Sequence, residues 1–412
     1  MPANAFDVLD ARGLISAASD AAALRRALDG PLTFYVGFDP TATSLTAGHL
    51  VTLMMAHHLE QAGHRPILIA GGGTGMIGDP SDRLDTRALL TQEDVAANVA
   101  AIRGQLERFV DLSEGDALVL NNADWLAGLG YLEFLRDIGR HFSVNEMLAT
   151  DTYRNRLEAG ENLNFIELNY RLLQAYDFLH LYREYGCTLQ IAGSDQWSNI
   201  LAGVDLIRRV ERTQAFGLVA PLLTTAEGEK MGKTAAGAVW LDPDRTPPFE
   251  FYQHWINLAD ALVPQALGML TTLPMSEVAA LRDLRGPDIR RAKQALAHNV
   301  TATVHGREAA DAARETARSL FADAAGDAEA VPTTLVTAAE LEAGIPIVDL
   351  LVRTGLAPSR GAARRLIAQG GAYIGESRAS DPEAVVDRSQ VPDDGLLLRA
   401  GRKRYHRVAV EP

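Results

Sequence analysis

Cysteine is almost missing from this chain of 412 residues, Cys187 being the only one. A single thiol excludes a disulfide framework and a cysteine-based zinc site, and it suits a reducing, cytoplasmic setting. Long apolar runs are missing as well: nothing approaches the roughly 20 consecutive apolar residues of a membrane-spanning helix. Residues 1–14 place Asp7 and Asp10 ahead of Arg12 and hold no apolar block, which argues against a secretion signal. Neither an internal repeat nor a long low-complexity segment is visible. An excess of positive charge is also absent, since the net charge is −14, the wrong sign for a chain that meets nucleic acid with its whole surface.

What is present fits a soluble globular protein of two or three domains, with 47% apolar and 22% charged residues. Charge is unevenly spread. Residues 345–412 carry 11 Lys+Arg against 8 Asp+Glu, a basic end on an acidic body. Such an end reads as an appended module that contacts phosphates, and otherwise as a solvated surface that happens to hold arginines.

Apolar runs bounded by Gly and Pro predict strands at 32–38, 66–70, 117–120, 188–191 and 218–223. Helical periodicity predicts helices at 49–62, 93–110, 131–148, 166–185 and 198–210. Strands alternating with helices imply an α/β fold, a mostly parallel sheet covered on both faces. Ligands of such sheets bind beyond the carboxyl ends of strands where the winding reverses, which directs attention to the loops after Phe38, Ala70 and Ile191. The expected division is 1–225 for the sheet domain, 226–247 for a loop region, 248–325 for a helical domain, 326–344 for a linker and 345–412 for the basic module. That module is expected to hold helices at 347–353 and 359–369 and strands at 372–374, 396–399 and 406–410.

Two patterns mislead. Gly73-Thr-Gly75-Met-Ile-Gly78 matches the dinucleotide fingerprint, but Asp79-Pro80-Ser81-Asp82 follows as a turn where a helix is required. Gly228-Glu-Lys-Met-Gly232-Lys233-Thr234 resembles a phosphate loop with one residue too few between its glycines.

Three constellations carry chemistry. In Tyr35-Val-Gly37-Phe-Asp39-Pro40-Thr41, continuing through Thr46-Ala47-Gly48-His49, a strand gives way to small hydroxyl residues and a helix start, whose free N–H groups and dipole suit a phosphate. Gly37 and Gly48 admit a close approach, and Thr46 could equally be a plain helix cap. Lys230 and Lys233, with Thr234, form a pair of point charges suited to a departing pyrophosphate; paired lysines are otherwise an ordinary solvated loop. Tyr170, Gln174 and Asp177, spaced i, i+4, i+7, share one helix face. Ile166, Leu173 and Leu181 lie in the same sector, and Leu168, Leu172 and Leu179 line the opposite one, so the helix is expected to be buried on two sides. Polar groups held there need partners, and a polar ligand can supply them.

Taken together these segments resemble the class I aminoacyl-tRNA synthetases. Thr46-Ala47-Gly48-His49 stands where that family has His-Ile-Gly-His, and Lys230-Met-Gly232-Lys233-Thr234 where it has Lys-Met-Ser-Lys-Ser. Tyr35 to Thr41, Gly75-Met-Ile-Gly-Asp79-Pro-Ser81, Tyr170-Arg-Leu-Leu-Gln174-Ala-Tyr-Asp177 and Gln190-Ile-Ala-Gly-Ser-Asp195-Gln196-Trp197 are similar to the tyrosyl-tRNA synthetase branch, bacterial type. The resemblance covers nearly the whole chain. It implies a Rossmann-like nucleotide-binding catalytic domain, a helical domain and a small α+β module of the S4 type. It also implies a reaction in which ATP activates tyrosine before transfer to tRNA, and a homodimer.

On that resemblance Tyr35 and Asp177 meet the phenol of tyrosine, while Asp79, Tyr170 and Gln174 hold its ammonium. Gln190, Asp195 and Gln196 reach the carboxylate and ribose. Gly37, Asp39, Gly48, His49, Asp195, Lys230, Lys233 and Thr234 belong to the ATP side. Thr41, Thr46, Lys230 and Lys233 face the pyrophosphate, with Arg83 and Arg87 as mobile helpers. The substrate carboxylate is ionised at neutral pH, so it attacks the α-phosphate without a general base, and no Ser/His or Cys/His nucleophile is needed. Magnesium would come with ATP, because no cage of carboxylates is visible and no tightly bound cofactor is implied. Arg360, Arg364 and Arg365 on one short helix, and Arg402, Lys403 and Arg404 beside Tyr405, suit RNA. The rivals are another adenylyl-forming ligase, a silent RNA-binding relative and a tryptophan-specific relative. Amino-acid-dependent ATP–pyrophosphate exchange separates them.

Overall fold

The computed structural model describes residues 4–81, 90–112, 117–224, 233–234, 237–322, 332–375, 377–392, 395–401 and 404–411. Six strands form the first sheet: β1 (Ala17–Ala18), β2 (Thr33–Phe38), β3 (Arg65–Ala70), β4 (Leu118–Asn121), β5 (Cys187–Gly193) and β6 (Phe216–Ala220). Their order is β1-β6-β5-β2-β3-β4, and all pairs are parallel except β1 with β6. From β2 the winding runs outward through β3 and β4, then returns to β5 on the other side. The reversal therefore lies between β2 and β5, and the loops after Phe38 and Gly193 flank it. Every residue of β6 and all but the first of β3 are buried, as continuous apolar runs require in a sheet covered on both faces.

Five helices matter for the site: α1 (Leu50–Gln61), α2 (Gly72–Gly75), α3 (Gln92–Leu106), α4 (Phe165–Tyr185) and α5 (Trp197–Glu211). The start of α4 is fixed at Asn164, whose backbone N–H donates to Glu167 Oε2 over 3.1 Å. It stops at Gly186, which takes the left-handed conformation (φ 64°) that ends helices at no steric penalty. One core joins Tyr35, Ile67 and Ile69 of the sheet to Leu172, Phe178 and Leu179 of α4 and to Leu206 of α5. The two helices approach closely because Gly203 has no side chain; a Cβ there would stand 3.0 Å from the Phe178 ring. The expected burial of α4 on two sides is observed: Leu172 and Leu179 are buried, and so are Tyr170, Asp177 and Leu181.

Several expectations shift. The single helix expected over 131–148 is three pieces, Tyr131–Asp137, Gly139–His141 and Val144–Leu148. Phe142 and Ser143 are extended, and the Ser143 hydroxyl accepts from the Glu146 N–H to start the last piece. The chain divides into two compact units, Met1–Gly232 with Trp240–Asp242 and Ala259–Ala292, and the remainder. The segment 248–325, read as one helical domain, is thus split between them. Within the second unit, Thr333–Val336 is a strand, although it falls inside the 326–344 segment read as linker. It pairs in parallel with Arg404–Val410 at the edge of a five-stranded sheet whose order continues through Leu396–Ala400, Ala372–Ile374 and Ser377–Arg378. Helices Ile347–Arg353 and Arg360–Ala368 belong to the same core, through Leu350, Leu351 and Ile367 against Leu398 and Val408.

Candidate active site

Tyr35 of β2 lies directly beside Gln190 of β5, across the reversal of winding. Both side chains are buried, 2% exposed each, and neither the Tyr35 hydroxyl nor Gln190 Oε1 has a hydrogen-bond partner. Two residues along, on the same face as Tyr35, Gly37 is exposed although its neighbours in this central strand are buried. A Cβ placed on Gly37 would meet nothing within 4 Å. A strand at the middle of a covered sheet thus opens onto free space at one residue, as a ligand's approach requires.

Helix α4 delivers the polar wall. Tyr170 donates its hydroxyl to Asp39 Oδ2 over 2.9 Å, and Thr74 donates to Asp39 Oδ1 over 2.7 Å. Gln174 Oε1 is a third buried acceptor without a partner. Asp177, 4% exposed, accepts from Asn122 Nδ2 at 2.9 Å and from Trp125 Nε1 at 2.7 Å, one on each oxygen. Burial pushes the Asp177 carboxyl up to about 7, while those two hydrogen bonds pull it down. Burial likewise raises the Tyr35 phenol well above its usual value, with the Asp177 charge adding to the effect. The Tyr170 phenol is raised by burial first and then by Asp39, Asp79 and Asp177. Three carboxylates therefore converge on one helix face, an environment that favours an incoming cation.

On the neighbouring loops, Asp79 accepts from Gln196 Nε2 at 2.6 Å and from the Ser81 N–H at 2.9 Å, and burial raises its pKa. Gln196 is held in turn by Asn199 Nδ2 at 3.1 Å. Asp195 folds back over Gly193, whose Cβ would stand 2.6 Å from Asp195 Oδ1. The glycines of the misleading dinucleotide pattern have a packing role: a Cβ on Gly75 would collide with Pro40 at 2.8 Å, and one on Gly73 with Leu126 at 2.8 Å. A cavity of about 650 Å³ adjoins the loop after β5, lined by Thr150, Arg156, Arg171, Asp195 and Trp197 among others. It shares only Asp195 with the residues named here, and Tyr35, Gln174 and Asp177 do not line it.

At the helix start, Thr46 is extended and precedes a 3-10 turn, Ala47–His49, that runs into α1. His49 Nδ1 accepts the Thr46 backbone N–H at 2.9 Å and lies 3.1 Å from Thr46 Oγ1. An accepting Nδ1 places the hydrogen of the neutral ring on Nε2. Gly48 and Thr41 are exposed. The chain returns here after the lysine segment: Thr46 bridges Trp240, Leu241 N–H donates to the Leu45 carbonyl at 2.9 Å, and Asp242 N–H to Ser44 Oγ at 3.1 Å. Arg83, Arg87, Lys230, Arg402 and Lys403 lie outside the described residues. The backbone of Lys233–Thr234 pairs with Gly237–Ala238. Among the arginines expected to meet RNA, Arg360 is paired with Asp349 and Arg364 with Glu383, Arg365 is exposed, and Arg404 donates to the Gly355 carbonyl.

Sequence reasoning missed Asn122, Trp125 and Thr74. Asn121-Asn122 at the carboxyl end of β4 was the available signal, two amides where a parallel strand meets the ligand side. Asn122 links Gly73 N–H (2.7 Å), Thr74 (3.0 Å) and Asp177, and Trp125 stacks on His180 with ring centres 4.5 Å apart.

A family model for class I tRNA synthetases (W and Y) matches residues 27–322, and one for a tyrosine–tRNA ligase C-terminal domain of the SYY type matches residues 324–408. The chain is 49% identical to a tyrosine–tRNA ligase of Caldanaerobacter subterraneus subsp. tengcongensis, covering 99% of this chain and 100% of that one. It is 47% identical to one from Clostridium botulinum (strain 657 / Type Ba4) with the same coverage. A C-terminally truncated mitochondrial tyrosyl-tRNA synthetase of Aspergillus nidulans superposes with a TM-score of 0.70 at 31% identity, over 77% of this chain and 94% of its own. Among the described residues, no helix is long and apolar enough to cross a membrane.

Proposed function

The chain belongs to the class I tRNA synthetases of the tryptophan and tyrosine type, and on that premise we propose that the tyrosine side chain is held between β2, β5 and α4. The activity is that of a tyrosine–tRNA ligase, using ATP and tRNA. One observation carries the placement of the substrate: three buried acceptor or donor atoms, on Tyr35, Gln174 and Gln190, stand without partners around a helix face rich in carboxylates. Such atoms are costly unless a ligand completes them.

Tyrosine supplies the complement. Its phenol donates to Asp177 and accepts from Tyr35, and its ammonium lies among Asp79, Tyr170 and Gln174. A site built to bond a hydroxyl rejects phenylalanine, because its own polar groups are then left unpaired. The ionised substrate carboxylate forms a bond to the α-phosphorus as the bond to pyrophosphate breaks. A hydroxyl of the terminal adenosine then attacks the carbonyl, and AMP departs. His49, oriented through Nδ1 by Thr46, offers Nε2–H to the nucleotide. Gly37 and Gly48 leave room for it, and Asp39 and Asp195 border it. The family resemblance assigns Thr41, Thr46, Lys230 and Lys233 to the charge on the pyrophosphate, with Arg83 and Arg87 as mobile helpers, and Thr234 to ATP. Magnesium would come with ATP as part of that substrate, where it would offset phosphate charge. Exposed apolar side chains at Tyr131, Leu132, Val144, Leu157 and Phe165 support a homodimer formed through this segment, and the single buried thiol of Cys187 suits the cytoplasm.

Pyrophosphate exchange with tyrosine, phenylalanine and tryptophan tests the reading. Tyrosine-dependent exchange that drops sharply in Tyr35→Phe and Asp177→Asn supports it, and exchange unaffected by both substitutions overturns the placement of the phenol.

A further inference from the structure

Tyr405, suited to RNA by its place beside Arg404, shares one face of the C-terminal sheet with a row of side chains that have no assigned role. Tyr373 is paired with Arg399, and Arg399 with Tyr405, so the three stand side by side on adjacent strands. Leu397 pairs Arg407, and Arg407 pairs Thr333, extending the same face. The opposite face, with Ala372, Leu398 and Val408, is the core. The row is half-exposed.

The guanidinium of Arg399 lies over the Tyr373 ring, 3.7 Å from its centre, and its buried Nε has no hydrogen-bond partner. An aromatic ring beneath a guanidinium holds the cation by its quadrupole and turns its flat surface outward. On this face the five strands carry Arg378, Arg399 and Arg407 and no Asp or Glu, while Arg404 lies on the other face, opposite Ala400. Two of the helix arginines are matched with carboxylates, Arg360 with Asp349 and Arg364 with Glu383. Cationic planes and rings in a row, without acids, complement a polyanion whose bases can stack.

We propose that this face is a stacking platform for unpaired nucleotides of the bound tRNA, with Arg399 as the base-contacting plane, Tyr373 as its positioning residue and Tyr405 flanking it. Single-stranded or looped RNA offers splayed bases that stack on arginine planes and aromatic rings, whereas a paired helix is read by its backbone and shape. The inference rests on the reading that the C-terminal module meets tRNA, and deepens it.

The test uses the full-length protein and its tRNA, with binding measured across a salt series. Arg399→Lys keeps the charge and loses the plane, so affinity should fall about tenfold with an unchanged salt slope. Tyr373→Leu should weaken binding to a similar degree, and Tyr373→Phe should bind as the parent does. Tyrosine-dependent pyrophosphate exchange should be unaltered in all three. A control with Arg360, Arg365, Arg402 and Lys403 all changed to Ala reports on the module as a whole. If that control loses tRNA while Arg399→Lys and Tyr373→Leu retain it, the platform is refuted and the role of the module stands. If the control also binds normally, both fall. Should Tyr373→Leu fail to fold, the pair Arg399→Lys and Tyr373→Phe still decides the matter.

Discussion

The indole N–H of Trp125 donates to Asp177 Oδ1 over 2.7 Å, so the carboxylate proposed to meet the phenol is itself held in place by a side chain 52 residues away. With Asn122 on the other oxygen, the acceptor is aimed before any ligand arrives. Preorganisation of this kind is what makes a hydrogen-bonding pocket selective.

Removing Asn122 takes one donor from Asp177 and leaves burial unopposed by it, so the carboxyl should rise above its value of about 7. In Asn122→Ala the acid limb of the tyrosine kcat/KM profile should move to higher pH, with about a tenfold loss near pH 7. A profile superimposable on the parent's would detach Asn122 from the site.

The same shift has a consequence for stability. The folded pKa of Asp177, about 7, stands above its usual 3.8. Between those values the native state binds more protons than the unfolded one, so this group's contribution falls as pH rises. The melting temperature of the parent minus that of Asp177→Asn should therefore decrease from pH 5 to pH 8.

Thr46 occupies a histidine position of the family signature and holds His49 through Nδ1. Thr46→Ala should reduce kcat for adenylate formation by about tenfold, the equivalent of one lost hydrogen bond, with tyrosine KM little changed. Rapid-quench kinetics would show it, and an unchanged kcat would reduce Thr46 to a helix cap.

Phe165 is 63% exposed at the first turn of α4. Phe165→Asp should shift the sedimentation coefficient towards that of a single chain while leaving the far-ultraviolet dichroism intact. A dimer that persists would place the interface elsewhere.

Arg12 is buried and donates to the carbonyls of Thr271 and Leu273, both at 2.8 Å, with Gly268 at 3.3 Å. Arg12→Ala strands these acceptors and should lower stability by about 3 kcal/mol, read from the denaturant midpoint, without altering the exchange reaction directly.

The sheet and the face of α4 were legible because continuous apolar runs and the i, i+4, i+7 spacing are local patterns. Asn122 and Trp125 were not, since their role depends on a helix 52 and 55 residues further along. An Asn pair after a strand reads equally well as turn chemistry. The break at Ser143 carried a signal, a hydroxyl residue three before Glu146, which apolar periodicity alone obscured. Thr333–Val336 is four residues beside an Ala- and Gly-rich stretch, and only its distant partner strand makes it a strand.

That pairing sets an order on biosynthesis. Among the described residues, the first strand of the C-terminal module pairs only with Arg404–Val410, Thr333 opposite Arg407 and Val336 opposite Val410. The sheet edge stays open until Arg404–Val410 has been made and has left the ribosome, so a product terminated before that strand carries an unclosed module, with Val336, buried in the folded sheet, left for quality control to recognise.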